Sequence, residues 1–102
     1  MKPTIEELRA RIAAALPEAR LEVFDDSALH LGHAGAAGGA GHFRVRAVCA
    51  AFEGRSRVAR HRLVYDAVAE WMPHRVHALA VVALTPAEAL APGAPPGTDR
   101  PA

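Results

Sequence analysis

The feature that most constrains the fold is the alternation in HFRVRAVC, residues 42–49. Successive side chains of a β-strand point to opposite faces of a sheet. One face of this segment carries Phe43, Val45, Ala47 and Cys49, and the other carries His42, Arg44, Arg46 and Val48. The pattern therefore predicts a strand with one face on an apolar core and a more polar face outside.

Helical periodicity flanks this strand. Apolar residues recur at helical spacing from Ile5 to Leu16, and Thr4 with Glu7 forms a predicted capping box at the start. A second, longer helix is expected after Ser56, which is suited to cap it. Its predicted core side carries Val58, Val64, Val68 and Trp71 or Met72, and a bend near His61 that would divide it into two helices is left open.

Two further strands and a short helix complete the predicted elements. The segment RLEVFDD alternates and predicts a short strand before the long loop. VHALAVVAL is apolar on both faces and predicts a well-buried strand. Thr85, Pro86 and Glu88 then form a second predicted capping box with proline at the first helical position.

The order helix, strand, strand, helix, strand, short helix predicts an α+β fold. The first two strands can pair as an antiparallel hairpin, and a helical connection favours a parallel pairing of the last two. We expect a three-stranded mixed sheet with helices packed on one face. The expected domain spans residues 1–90, and the Pro/Gly-rich residues 91–102 are predicted to be a disordered tail.

Composition narrows the classes of function. The chain has 102 residues, a net charge of +1 and one cysteine, which excludes an intramolecular disulfide and a multi-cysteine metal knuckle. Residues 1–12 lack the apolar run of a signal peptide, and no stretch is long enough to span a bilayer. We expect a soluble cytoplasmic protein with no membrane partner.

The segment HLGHAGAAGGAG, residues 30–41, lies in an unusually long predicted hairpin loop, residues 26–41. Hairpin loops usually have two to five residues, and much longer ones are more often functional or disordered. Its GAAG sequence, residues 35–38, imitates the GxxG loop of nucleic-acid-binding KH domains. That loop joins two helices in KH domains, whereas here it joins two strands, so we interpret the match as accidental.

Four blocks of the sequence, in order, resemble the BolA family: LEVFDDSALHLGH, GHFRVRAV, FEGRSRVARHRLVYDAV and VHALAVVALTP. The resemblance covers residues 5–90. It implies a KH-like (type II) fold without catalytic activity or catalytic residues. It also implies partnership with a monothiol glutaredoxin, with which a [2Fe-2S] cluster can be shared in iron-sulfur cluster trafficking or iron and redox regulation.

The resemblance also implies which side chains ligate the cluster. His77 matches the histidine of the family's VHALA block, and His33 is the candidate from the loop between the first two strands, with His30 and His42 as fallbacks. A partner thiolate and a glutathione thiolate would supply the remaining ligands. The cluster is therefore expected only in the complex. Cys49 falls on the predicted core side and is interpreted as an inert buried thiol.

The alternative hypothesis is a DNA-binding transcriptional regulator of stress response and morphology, an activity described for bacterial members of the family. The candidate phosphate contacts are Arg55, Arg57, Arg60 and Arg62, with Arg44 and Arg46 on the open sheet face. The low net charge argues mildly against strong DNA affinity. The free protein is expected to be a monomer or a weak homodimer.

Overall fold

The computed structural model describes residues 2–27 and 41–94 of the chain. Its three helices and three strands are α1 (Ile5–Ala15), β1 (Arg20–Asp25), β2 (Gly41–Val48), α2 (Arg57–Ala67), β3 (Val76–Leu84) and α3 (Pro86–Leu90). Two single 3₁₀ turns, Ala50–Phe52 and Ala69–Trp71, lie before and after α2. This order confirms the predicted sequence of elements and the α+β class.

Local sequence signals set where the helices begin. The Thr4 hydroxyl accepts from the Glu7 backbone N–H at 3.0 Å, and the Glu7 carboxylate accepts from the Thr4 N–H at 2.8 Å. The same reciprocal pair joins Thr85 and Glu88 at the start of α3. Each box satisfies backbone donors that the first helical turn leaves without intrahelical partners.

The sheet has the strand order β1-β2-β3. β1 and β2 are antiparallel, with Val23 opposite Val45, and β2 and β3 are parallel, with Val45 opposite Val81. The predicted mixed sheet is therefore confirmed, with the alternating strand at its centre.

The core lies between one face of the sheet and the helices. It takes Phe43, Val45 and Ala47 from β2 and Cys49 from the position just after it, each at most 3% exposed. α1 contributes Leu8 and Ile12, and the region of α2 contributes Val64 and Val68, all four fully buried. The apolar side chains that give α1 its helical spacing and β2 its alternation thus pack together in a single apolar layer.

Two details of the sequence-based prediction were wrong, and the structure also answers the question of a bend near His61. Val58 is 65% exposed and does not face the core, because α2 turns its first residues outward and buries only its later part. α2 also runs without a break through His61 and ends at Ala67, so the bend lies at Val68. Finally, β3 is an edge strand with exposed positions at Ala78 and Ala80, because small apolar side chains do not require burial on both faces.

The predicted tail is described only in part. Residues 91–94 make a turn in which the Ala94 N–H donates to the Ala91 carbonyl at 3.1 Å. Residues 95–102 lie outside the described part of the chain, as do His30, His33 and the GAAG segment.

Candidate metal centre

His77 owes its position to an irregularity in the parallel pairing of β2 and β3. Gly41 lies opposite Val76, but His42 lies opposite Ala78, so His77 is an extra residue with no partner on β2. Such a β-bulge changes the direction of a side chain. Val76 is fully buried and Leu79 is 5% exposed, whereas the two residues between them are exposed.

The bulge reverses what simple alternation would give. Leu79 and Ala83 face the core, and strict alternation would place His77 on that same buried side. The extra residue moves Val76 into the core instead and leaves the imidazole accessible. The last strand therefore presents a potential metal ligand at its start without burying an unpaired polar group.

His42 lies beside His77 on the neighbouring strand. The two ring centroids are 5.1 Å apart and the rings are tilted by 45°. The sequence suggested His42 only as a fallback ligand, but it is the histidine that the described structure brings to His77. The Nε2 atom of His42 is buried, so His77 is the imidazole that an approaching partner meets first.

A chain of polar contacts fixes the backbone on the His42 side. Lys2 donates to Asp25 at 2.8 Å, and the Asp25 carboxylate accepts from the Ser27 N–H at 2.9 Å. The Ser27 hydroxyl then accepts from the His42 N–H at 3.1 Å. Burial raises the pKa of the Asp25 carboxyl, but the hydrogen bonds from Lys2 and Ser27 outweigh it and hold the pKa below its usual value. Asp25 thus stays ionised and accepts the hydrogen bonds from Lys2 and Ser27 in this series of contacts.

Gly41 leaves space for the Phe43 ring and for the N-terminal segment at Lys2. A Cβ atom there would lie 2.3 Å from Cε2 of the Phe43 ring and 3.0 Å from Cβ of Lys2. The Gly41 N–H donates to the Arg75 carbonyl at 3.0 Å and closes the pairing just before the bulge. Residues 41–42 and 76–78 together are called the histidine end below.

The two imidazoles of the histidine end are too few to form a metal coordination shell by themselves. Among residues 2–27 and 41–94, no group of three or more His, Cys, Asp or Glu side chains is placed to hold a metal ion. Two neighbouring imidazoles fit the histidine share of a cluster in which other ligands are thiolates. Any cluster held here needs ligands from the loop or from a second molecule.

Cys49 cannot join this site. It follows the opposite end of β2 and is 3% exposed, and its N–H donates to the Leu84 carbonyl at 2.9 Å. It lies seven positions along the chain from His42, about 23 Å at the usual rise per residue of a strand. Its burial in the core confirms the predicted side of the strand.

In the predicted arginine cluster, some side chains form hydrogen bonds within the protein and others are exposed. Arg60 is only 13% exposed and donates to both Glu88 oxygens, at 2.6 and 3.3 Å, and to the Ala83 carbonyl at 3.1 Å. Arg55 donates through Nε to the Ala51 carbonyl at 2.9 Å. Arg57 and Arg62 are exposed. The Arg60 hydrogen bond, with that of the Thr85 N–H, lowers the pKa of Glu88 to about 2.

The arginines on the open sheet face also have acidic partners. Arg44 donates to Asp26 at 2.7 Å and its guanidinium lies 4.4 Å from the centre of the Phe24 ring. Arg46 contacts Glu22 at 3.4 Å. This face therefore carries less free positive charge than the sequence suggested. The remaining histidines are separate: His61 lies edge-on to Tyr65, and His74 is exposed.

The histidine end thus lies at one end of the three-stranded sheet of a small α+β domain. None of its described helices has the length and apolar composition needed to cross a bilayer. The BolA-like protein family model matches residues 12–88.

Individual relatives agree with that match. The chain is 44% identical over 86 residues to BolA-like protein 1 of Mus musculus, covering 84% of this chain and 61% of the mouse protein. It has the same identity over 86 residues to SufE-like protein 1, chloroplastic/mitochondrial, of Arabidopsis thaliana, covering 79% of this chain. The match spans only 23% of that longer protein.

A solved structure completes the comparison. The BolA domain of SufE1 from Arabidopsis thaliana superposes with a TM-score of 0.72 at 40% identity, covering 86% of this chain and 98% of that domain. The chain belongs to the BolA family.

Proposed function

We propose that this protein is a non-enzymatic partner of a monothiol glutaredoxin and shares a [2Fe-2S] cluster with it. The role is in iron-sulfur cluster trafficking or in iron and redox regulation. The observation that carries the proposal is the bulge that exposes His77 beside His42, with ring centroids 5.1 Å apart. Membership of the BolA family is the second support.

The incomplete donor set argues for a shared cluster rather than a resident one. The described chain offers two adjacent imidazoles and keeps its single thiol in the core. A glutaredoxin thiolate and a glutathione thiolate would supply the sulfur ligands. An imidazole binds metal only in its neutral form. When imidazoles replace thiolates as ligands, the reduction potential of an iron-sulfur cluster rises. A cluster of this kind suits transfer or sensing.

His77 is the first ligand of the proposal, and the second comes from the same end of the sheet. His42 is the described candidate, while His33 and His30 belong to the loop that joins β1 to β2. Asp25, Ser27 and Gly41 act on the site through the backbone of His42, as positioning residues.

DNA binding is the alternative function. Arg55, Arg57 and Arg62 leave positive charge on the surface, but Arg60, Arg44 and Arg46 have carboxylate partners. Phosphate contacts need cations that are not already neutralised. We therefore favour the glutaredoxin partnership.

The test is co-expression with a monothiol glutaredoxin, followed by visible absorption and circular dichroism of the purified complex. We expect an iron-sulfur chromophore in the complex and none on the isolated protein. His77→Ala should remove most of it. The matched control is His74→Ala, which removes an exposed imidazole three positions earlier. An unchanged chromophore in His77→Ala would contradict the assignment of His77, and absence of a chromophore from the wild-type complex would contradict the proposed function.

A further inference from the structure

The outer edge of β3, residues 79–83, is a second surface, which the proposed cluster does not use. β3 is an edge strand, so one row of its backbone groups faces away from β2. The Leu84 carbonyl points to β2, where it accepts from Cys49. Alternation along a strand then directs the backbone groups of Leu79, Val81 and Ala83 outward.

Side chains of α2 occupy both ends of this row. The Tyr65 hydroxyl donates to the Leu79 carbonyl at 2.7 Å, and Arg60 donates to the Ala83 carbonyl at 3.1 Å. Val81 lies between them, and no hydrogen bond to its N–H or carbonyl occurs within residues 2–27 and 41–94. The Val81 N–H and carbonyl are thus available on this edge, between two occupied carbonyls that lie about 13 Å apart.

A cleft of about 460 Å³ opens beside this position. β3 contributes residues 81–84 to it, α2 contributes Arg57, Arg60 and His61, and the turn after α3 contributes residues 91–94. The cleft therefore combines an apolar strand edge with a basic wall. Exposed edges of this kind pair with extended segments of other chains.

The charges of the wall decide what kind of segment fits. Arg57 is exposed and has no ion-pair partner in the described part of the chain, whereas Arg60 is paired with Glu88 in the same cleft. A single carboxylate beside the strand edge can pair with Arg57. The phosphates of a nucleic acid would be repelled by the Glu88 carboxylate. They would also offer no N–H or amide carbonyl to the Val81 backbone.

We propose that the edge of β3 at Val81 binds an extended acidic peptide segment of a protein partner, which adds to the sheet as a short strand with its carboxylate on Arg57. The occupied carbonyls of Leu79 and Ala83 limit the pairing to the backbone around Val81. The contact is therefore short, and specificity comes from the ion pair and the apolar cleft.

The test is selection from a phage-displayed library of random dodecapeptides against the full chain, without glutaredoxin. Selected peptides should contain alternating apolar residues and an Asp or Glu. Arg57→Glu should raise their Kd about fivefold or more, since it replaces an ion pair by a repulsion. The matched control Arg62→Glu changes the same charge on the same helix outside the cleft and should leave the Kd unchanged. Far-ultraviolet circular dichroism checks that both variants fold.

Amide hydrogen exchange locates the bound strand. The Val81 N–H should exchange rapidly in the free protein and slowly with peptide bound. Selection of no peptide would overturn the proposal, as would equal losses in Arg57→Glu and Arg62→Glu, or a Val81 amide unaffected by binding. A duplex oligonucleotide serves as the competing ligand. If it binds more strongly than the selected peptides, and both arginine variants lose that binding, the surface belongs to nucleic acid instead. None of these outcomes depends on cluster formation, so failure here is distinguishable from failure of the proposed function.

Discussion

The two ends of the β2–β3 pair differ in whether their polar side chains are accessible or bound to one another. At the histidine end a bulge exposes His77 and places it beside His42. At the other end, called the arginine end and defined by Arg60, Ala83 and Glu88, the side chains bind one another. A residue type therefore indicates a binding role only when the fold leaves it accessible. The following predictions test this contrast, from the largest effect to the smallest.

Loss of ligands should have the largest effect, and only at the histidine end. His77→Ala should abolish most of the cluster absorbance of the glutaredoxin complex, whereas Cys49→Ala at the buried end of β2 should retain it. Since surface changes rarely alter stability by more than about 0.5 kcal/mol, His77→Ala should fold normally. Loss of the cluster in Cys49→Ala, with fold retained, would contradict the contrast.

The second ligand can be identified by the same measurement. His42→Ala and His33→Ala should differ, and the variant that loses more absorbance identifies the histidine that ligates with His77. The double variant with His77→Ala should be little worse than His77→Ala alone, because two ligands of one site act as a unit. Additive losses would indicate two separate sites.

Gly41→Ala should destabilise the domain by about 1–3 kcal/mol, the usual cost of overpacking a filled core. The new Cβ would overlap the Phe43 ring, which is 2% exposed and has no room to withdraw. Chemical denaturation measures the change in the free energy of unfolding. Ala78→Ser, an exposed change at the same end, is the control. An unchanged midpoint in Gly41→Ala would show that the Phe43 ring can move aside here without cost.

Arg60→Ala should lower the free energy of unfolding by about 1 kcal/mol, a typical net value for lost hydrogen bonds. The guanidinium links α2 to the Ala83 carbonyl of β3 and to the Arg55 carbonyl. The exposed Arg62→Ala is the matched control, with an expected effect below about 0.5 kcal/mol. Equal effects in the two variants would mean that Arg60 stabilises the fold no more than Arg62 does.

The smallest effect is a pH dependence at the arginine end. The pKa of Glu88 is about 2 in the folded protein, below the ordinary value of 4.5. A depressed carboxyl pKa stabilises the fold above the unfolded-state value, and this stabilisation is lost as pH falls through the folded-state value. Denaturation midpoints of wild type and Glu88→Gln should therefore differ above pH 4.5 and converge towards pH 2. A constant difference over that range would exclude the ion pair as its cause.

Much of the fold could be predicted from short stretches of sequence. Both capping boxes form as Thr4–Glu7 and Thr85–Glu88 indicated, because their contacts lie within one helical turn. The alternation in β2 predicted its buried face correctly, because neighbours on both sides hold a central strand in register. The interpretation of Val58 as a core residue was wrong, since periodicity does not show where a helix leaves the sheet.

The candidate site was predictable in part. Resemblance to the BolA family indicated His77, but its exposure depends on a bulge that no local pattern signals. Alternation alone would have turned it towards the core. The contacts of Asp25, Ser27 and Gly41 near His42 were also missed, although the DDS and GH sequences are visible in the chain. Their importance lies in contacts between residues that are distant in sequence.

By itself the sequence determined the helices, the strands and their order, because capping, periodicity and alternation are local properties of the chain. The tertiary structure alone decided which polar side chains remain available. Whether Arg60 meets Glu88, or His77 meets His42, depends on strand register and on distances between elements. Those quantities arise from packing the whole core, so they bring together residues that no local pattern connects.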